Sequence, residues 1–187
     1  MARPLDPEKR IAVLESAVHI IARQGLGATT SLIAREAGVS TGSLFTYFPD
    51  KQVLLNQLYL HIKTEVAGVL LDGFPQQKSI REKTFHVWQA YVGWACQHPE
   101  KRTALQQLTL SHTVTENTRG QAAQMLDAVN LMLSELGRSD ICHDVTFISA
   151  VMTSLAETTV DFALKQPGKA EAHTCTGFNM FWQMLGL

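Results

Sequence analysis

Apolar residues recur at three- and four-residue spacing along most of the chain, a period that predicts helices. Residues of about 7–24 carry Ile11, Leu14, Val18 and Ile21 on one stripe, with Glu15 and Arg23 outside it. Pro7 suits a first helical turn and Gly25 a helix stop. After the turn Gly25-Leu26-Gly27-Ala28, Thr29 or Thr30 offers a capping oxygen to a short helix with Leu32, Ile33, Ala34 and Ala37. That helix ends at Gly38. Ser40 caps a third, which carries Leu44, Phe45 and Phe48 and is closed by Pro49. Asp50 caps a fourth over about 51–71, with Val53, Leu54, Leu58, His61 and Ile62 on its inner side.

The remainder alternates helices and breaks. Helices are expected over about 78–97, 100–110, 118–136, 141–166 and 169–185. The breaks fall at Gly73-Phe74-Pro75, His98-Pro99, Ser111 to Asn117, Gly137-Arg138-Ser139 and Pro167-Gly168. Val145-Thr146-Phe147-Ile148 would suit a strand in isolation, but it lies in a long uncharged stretch that reads as a buried helix. The fold class is therefore all-α, with about nine helices. A three-helix N-terminal domain (residues 1–50) is followed by a larger helical domain (residues 51–187).

The segment from Thr30 to Phe45 has the logic of a helix-turn-helix. Ile33, Ala34 and Ala37 point inward, and Ala34 is small where two helices cross. Gly38 permits the positive φ of a tight turn, and Val39 plugs the gap between the helices. The next helix exposes Ser40, Thr41, Gly42, Ser43 and Thr46, a small polar face able to sit deep in a major groove. Gly42 would let the backbone approach the bases. An ordinary helical hairpin is the plain alternative.

The run Ile33-Ala34-Arg35-Glu36-Ala37-Gly38-Val39-Ser40-Thr41-Gly42-Ser43-Leu44-Phe45-Thr46-Tyr47-Phe48-Pro49-Asp50-Lys51 resembles the DNA-binding signature of the TetR family of transcriptional repressors. The pattern covers roughly residues 8–55. A narrower likeness, to the RamR-like multidrug-responsive regulators, rests on four further segments. They are Met1-Ala2-Arg3-Pro4, Leu58-Tyr59-Leu60-His61, the Trp88, Tyr91, Trp94 spacing before His98-Pro99, and Leu155 to Phe162. The resemblance implies that Thr41 and Gly42 meet base edges and that Thr30, Ser40, Thr46, Tyr47 and Lys51 hold phosphates. Arg35 is either a phosphate contact or a solvated charge. Two positions depart from the common pattern: Thr41 where many members have lysine, and Phe45 where many have tyrosine. Thr41 weakens electrostatic anchoring. Phe45 loses a phosphate hydrogen bond but can pack on a sugar or a thymine methyl.

Composition narrows the class without deciding it. The chain has 187 residues, 45% hydrophobic and 18% charged, ordinary for a globular protein. No uninterrupted apolar run reaches the ~18–20 residues of a membrane span, and the first ten residues lack a signal-peptide core, so a cytoplasmic protein with no membrane partner is expected. The formal net charge is −1, so DNA binding would depend on local geometry and on an oligomer. Cys96, Cys142 and Cys175 are widely spaced and read as small core residues. Cys142-His143-Asp144 is compact but lacks metal-ligand spacing. No phosphate loop, His-Glu-x-x-His or Gly-x-Ser-x-Gly is present, and the expectation is a non-enzyme without metal or cofactor.

The larger domain reads as a sensor and a dimer. On residues 84–98, Phe85, Trp88, Val92 and Cys96 share one side, while Val87, Tyr91, Trp94 and His98 lie roughly opposite. A helix apolar on both sides runs through the middle of a domain. Its rings can line a cavity for aromatic or cationic ligands, or simply pack. Tyr59, His61, Phe85, Trp88, Met152 and Leu155 are the candidate ligand-binding residues. Glu157 and Asp161, four apart, form a solvated or partner-facing acidic edge, or attract a cation. Phe147, Val151, Phe162, Phe178, Phe181 and Trp182 exceed what one small core needs and suggest a two-fold homodimer interface. The expected partners are thus a double-stranded DNA operator, a small hydrophobic or cationic inducer and a second copy, with efflux or multidrug control suggested by the RamR likeness. The rival reading is a ligand-independent DNA-binding or protein-interaction module whose aromatics are purely structural.

Overall fold

The computed structural model describes residues 6–137 and 144–186. Met1-Ala2-Arg3-Pro4, Arg138, Ser139, Cys142 and His143, all used in the sequence reading, lie outside the described residues. Every described element is helical: α1 (Pro7–Gln24), α2 (Thr30–Glu36), α3 (Thr41–Tyr47), α4 (Lys51–Leu71), α5 (Ile80–Gln97), α6 (Pro99–Leu110), α7 (Glu116–Gln124), α8 (Asp127–Leu136), α9 (Val145–Lys165) and α10 (Ala170–Met184), with a 3₁₀ turn at Pro167–Lys169. Val145 to Ile148 is helix, as its apolar surroundings predicted.

Local chemistry explains the boundaries in the first half. Asp6 caps α1 by accepting from the Glu8 N–H at 3.0 Å, with Pro7 at the first helical position. Thr29, rather than Thr30, caps α2 through the Leu32 N–H at 3.3 Å. Ser40 caps α3 through Ser43 N–H at 3.0 Å, and Asp50 accepts from Val53 N–H at 2.7 Å. Gly25 and Gly38 take φ of 78° and 67°, left-handed conformations that a Cβ would strain.

There are ten α-helices among the described residues, where nine were expected, because the single helix expected over 118–136 is two. Neither proline nor glycine marks that break. Leu126 leaves helical geometry at φ −120° and ψ 32°, and its N–H closes on Ala123 O at 3.1 Å. The Asn130 amide donates to the same carbonyl at 3.0 Å, stabilising the interruption. Two stripe assignments also change. Ile11 is 50% exposed and Val53 36%, so spacing found the helices but misplaced the edge of the buried face.

The chain forms two compact units. The first runs to Thr64 and takes in His98–Ala122; the second comprises Glu65–Gln97 and the chain from Ala123. In the first, α1 packs on α2 and α6, and α2 packs on α3, around Leu14, Ile21, Ile33, Leu44 and Phe48. In the second, α9 packs on α5, α8 and α10, and α5 also packs on α8 and α10, with Trp88, Phe178 and Phe181 buried in its core. Helix α9 has the length and mean hydropathy of a membrane span, although polar residues interrupt its apolar run throughout. It nevertheless carries Glu157 and Asp161, and buries Ile148, Met152, Ala156 and Val160.

Candidate DNA-binding face and aromatic core

In the first unit the caps leave a small polar face on α3. Ser40, Thr41, Gly42 and Thr46 are exposed, as are Arg35 and Phe45, while Thr30, Tyr47 and Lys51 are partly buried. Ser40 Oγ accepts the Ser43 N–H, which leaves its hydroxyl proton to donate. The Thr46 hydroxyl donates to Gly42 O at 3.1 Å, so in this rotamer it offers only acceptor lone pairs. Tyr47 Oη accepts the Asp6 N–H at 3.2 Å, tying the end of α3 to the cap of α1 and leaving the phenolic proton free. A hydroxyl in that arrangement can both pack a helix and donate to a phosphate.

Polar ties hold this face on the rest of the unit. Arg10 donates to Gln57 Oε1 at 2.6 Å and its guanidinium lies 5.6 Å from the Phe48 ring centroid. Glu15 receives His61 at 2.8 Å and Lys101 at 3.3 Å. His19 pairs with Glu100 at 3.0 Å and approaches Glu36 at 3.9 Å. The His19 hydrogen bond, with Arg23 adding charge, holds the Glu100 carboxyl below its usual range. Buried Asn56 on α4 donates to Gln52 O and Thr113 O at 2.8 and 2.9 Å, and accepts the Thr115 N–H at 3.0 Å. The link between α6 and α7 is therefore fastened to the first half of α4. Apolar periodicity gave no sign of this clasp, since Asn56 counts there as an exception.

The second unit is built on aromatic contacts. Trp88 is fully buried; its Nε1 donates to Thr174 O at 3.0 Å and its ring stacks on Phe181 at 6.2 Å and 16°. Phe178 meets Phe85, Trp88 and Trp182 at 4.8, 6.2 and 5.9 Å. Gly177 is where α10 comes closest: a Cβ there would lie 2.3 Å from Thr159 Oγ1 and 2.9 Å from the Trp88 ring. Trp94 Nε1 donates to Glu65 at 2.8 Å and the Tyr91 hydroxyl to Glu157.

The expected ligand residues divide between the units: Tyr59 and His61 lie in the first, and Phe85, Trp88, Met152 and Leu155 in the second. Tyr59, Trp88 and Met152 are buried; His61, Phe85 and Leu155 are partly so. The expected dimer residues also divide. Phe147 is 60% exposed, Phe162 is exposed and Val151 partly buried. Phe178, Phe181 and Trp182 are instead buried in the unit's own core, because α10 turns that face toward α5. Met180 and Met184 are exposed in their place, on the opposite side of the same helix.

Residues 13–58 match the family model of bacterial regulatory proteins, tetR family. The solved structure of a tetR family transcription regulator from Shewanella sp. PV-4 is 27% identical, with a TM-score of 0.83 over 94% of this chain and 96% of that one. This is a TetR-like fold. A second TetR family regulator, from Marinobacter aquaeolei VT8, superposes with a TM-score of 0.85 at 23% identity, covering 96% of each chain. FadR from Bacillus subtilis, solved in complex with stearoyl-CoA, reaches 0.69 at 17% identity over 91% of this chain and 96% of that one. The TetR-family match spans most of α1, all of α2 and α3 and the first part of α4, and so includes the caps and turn that shape the exposed face.

Proposed function

We propose that the protein is a ligand-responsive transcriptional repressor that binds a near-palindromic operator as a homodimer in the cytoplasm. The observation that carries this reading is the α3 face. It is small, polar and exposed, and it lies within the segment that matches the tetR family. Thr41 and Gly42 read base edges; Thr30, Ser40, Thr46, Tyr47 and Lys51, with Arg35 at the margin, hold phosphates. Phe45 packs on sugar or a thymine methyl. Residues 1–50 carry DNA contact, and residues 51–187 carry ligand and partner binding. This division does not follow the two compact units, because α6 and most of α4 belong to the first.

The dimer is assigned to the exposed apolar residues Phe147 and Phe162, with Val151, Met180 and Met184 beside them. Two copies would then present two α3 helices to successive major grooves. Tyr59 and His61 in the first unit and, taken by themselves, Phe85, Trp88, Met152 and Leu155 in the second are the residues we propose to contact a small, largely apolar inducer. The same fold holds stearoyl-CoA in the Bacillus subtilis relative, which supports a ligand but does not identify one. Control of efflux or multidrug response is the regulatory role we assign. Release follows only if the ligand binds the DNA-incompetent arrangement more tightly. The test is operator binding by the full chain, followed by competition with aromatic cations and bile-type amphiphiles. Release by any of them supports the sensor. Occupancy unmoved by every ligand favours the rival module with a structural core.

A further inference from the structure

Helix α4 carries Tyr59 and Lys63 one turn apart, and both face a corner supplied by α6 and α7. The Lys63 Nζ lies 5.8 Å from the Tyr59 ring centroid. Arg119 on α7 spans the same corner: its Nη2 donates to Thr109 O and to Ser111 O, both at 3.0 Å. The Thr109 side chain also lies beside the Tyr59 hydroxyl, so Tyr59 and Arg119 meet at one residue. All of these groups lie within the first unit. Among the described residues no carboxylate stands within ion-pair distance of Lys63 or Arg119. Lys101 of the same unit, by contrast, pairs with Glu15 at 3.3 Å.

Two cations are therefore held near each other without a counter-charge, one of them largely desolvated. The arrangement is costly in a chain with acids to spare, and an anion supplied from outside would relieve it. The strain appears on Lys63, while the Arg119 charge opposes the effect of burial on Tyr59. Burial, with the Arg119 charge adding to it, pulls Lys63 below the ordinary lysine range, and burial pushes Tyr59 up. Donors dominate the corner: an ammonium, a guanidinium and a phenolic O–H, with an aromatic ring beside them. That set matches an oxyanion attached to an apolar body.

We propose that Lys63, Arg119 and Tyr59 form an oxyanion-binding site that takes the carboxylate or phosphate head of a small amphiphile. The proposal deepens the repressor reading by naming the polar end of its inducer, and its regulatory meaning rests on that reading. It also separates this ligand from the aromatic cations the sequence suggested, which two uncompensated positive charges repel.

The experiment is isothermal titration of the full-length, DNA-free protein with sodium octanoate, octyl phosphate, inorganic phosphate and decyltrimethylammonium. Octanoate or octyl phosphate saturates one site per chain, and the tighter of the two identifies the oxyanion. Saturation by inorganic phosphate as tight as by the octyl anions would remove the apolar body from the proposal and overturn it. Arg119→Gln and Lys63→Met each weaken the octyl anion at least tenfold and leave decyltrimethylammonium no weaker. Thermal melting checks that both variants fold; should Arg119→Gln fail to fold, Lys63→Met carries the test alone. Absence of saturable binding by either octyl anion, or equal binding by wild type and the folded variants, overturns the site. Operator release is measured separately. An anion that binds here and leaves the operator occupied keeps the site and removes its role in induction. A cation that releases the operator, with neither octyl anion binding, removes the site and keeps the inducer.

Discussion

The two compact units of this chain solve different problems with different chemistry. The first holds ten Lys or Arg against seven Asp or Glu, and the second six against ten, so a near-neutral chain is a positive unit joined to a negative one. The first is fastened by polar ties: Asn56 on the α6–α7 link, Arg10 on Gln57, and Glu15 between His61 and Lys101. The second is fastened by rings, with Trp88, Phe178 and Phe181 buried in contact. Polar ties fix geometry at modest net stability, since each exchanges one hydrogen-bond partner for another. Aromatic packing gives most of its stability through burial and tolerates little truncation. A face that reads DNA needs the first property. A unit proposed to pair with a copy of itself and border a ligand needs the second. Overall net charge concealed this division.

The largest expected effect breaks the ring-built unit. Trp88→Ala removes a fully buried indole together with its hydrogen bond to Thr174 O, at a cost of about 3–5 kcal/mol by thermal or denaturant unfolding. A variant that melts like wild type but no longer answers ligand would keep the proposed place of Trp88 beside the inducer and remove its structural one. Asn56→Ala probes the polar unit in the same way. It strips Thr113 O and Thr115 N–H of buried partners and should cost about 2 kcal/mol in the same unfolding measurement. Gly177→Ala comes next, at about 1–3 kcal/mol. The gain in helix propensity is outweighed by a Cβ 2.3 Å from Thr159 Oγ1, an atom already bound to Leu155 O. A neutral result would mean that α10 can slide.

The smaller effects sharpen the comparison. Tyr47→Phe keeps the ring and removes the hydroxyl that accepts from Asp6. Operator affinity should fall several-fold, about 1 kcal/mol, with the chain still folded by circular dichroism. Unchanged affinity would leave Tyr47 a packing residue. The least effect is expected from His19→Gln. Glu100 is held below its ordinary value mainly by His19, so its contribution to stability is present above the unfolded carboxylate pKa and is lost as pH falls through the lower, folded one. The variant should therefore lose less of its melting temperature than wild type as the pH is taken from 5 to 3. An identical acid response in both would assign the pairing no energetic role.

What was legible in the sequence follows the same line. The helix-turn-helix could be read because its determinants are local. Thr29, Ser40 and Asp50 cap the helices they precede, and Gly38 permits the turn, all within a few residues of their targets. The exposure of Ile11 and Val53 could not be read, because periodicity names a stripe and not its width. The break between α7 and α8 carries neither proline nor glycine, and depends on Asn130 reaching back to Ala123. The apolar excess of α10 was assigned to a partner copy; Phe178, Phe181 and Trp182 fill the unit's own core, and Met180 and Met184 face outward. The Lys63 and Arg119 corner joins residues 56 positions apart, though a lysine one turn after a buried tyrosine was a visible signal.

The most direct test of the account is fluorescence anisotropy of a labelled operator fragment, taken from the protein's own upstream intergenic DNA, against a scrambled duplex of equal length at two salt concentrations. The account predicts saturable binding to the upstream fragment that survives at the higher salt, while binding to the scrambled duplex collapses. Equal binding to both duplexes, lost in parallel as salt rises, would contradict a sequence-reading α3.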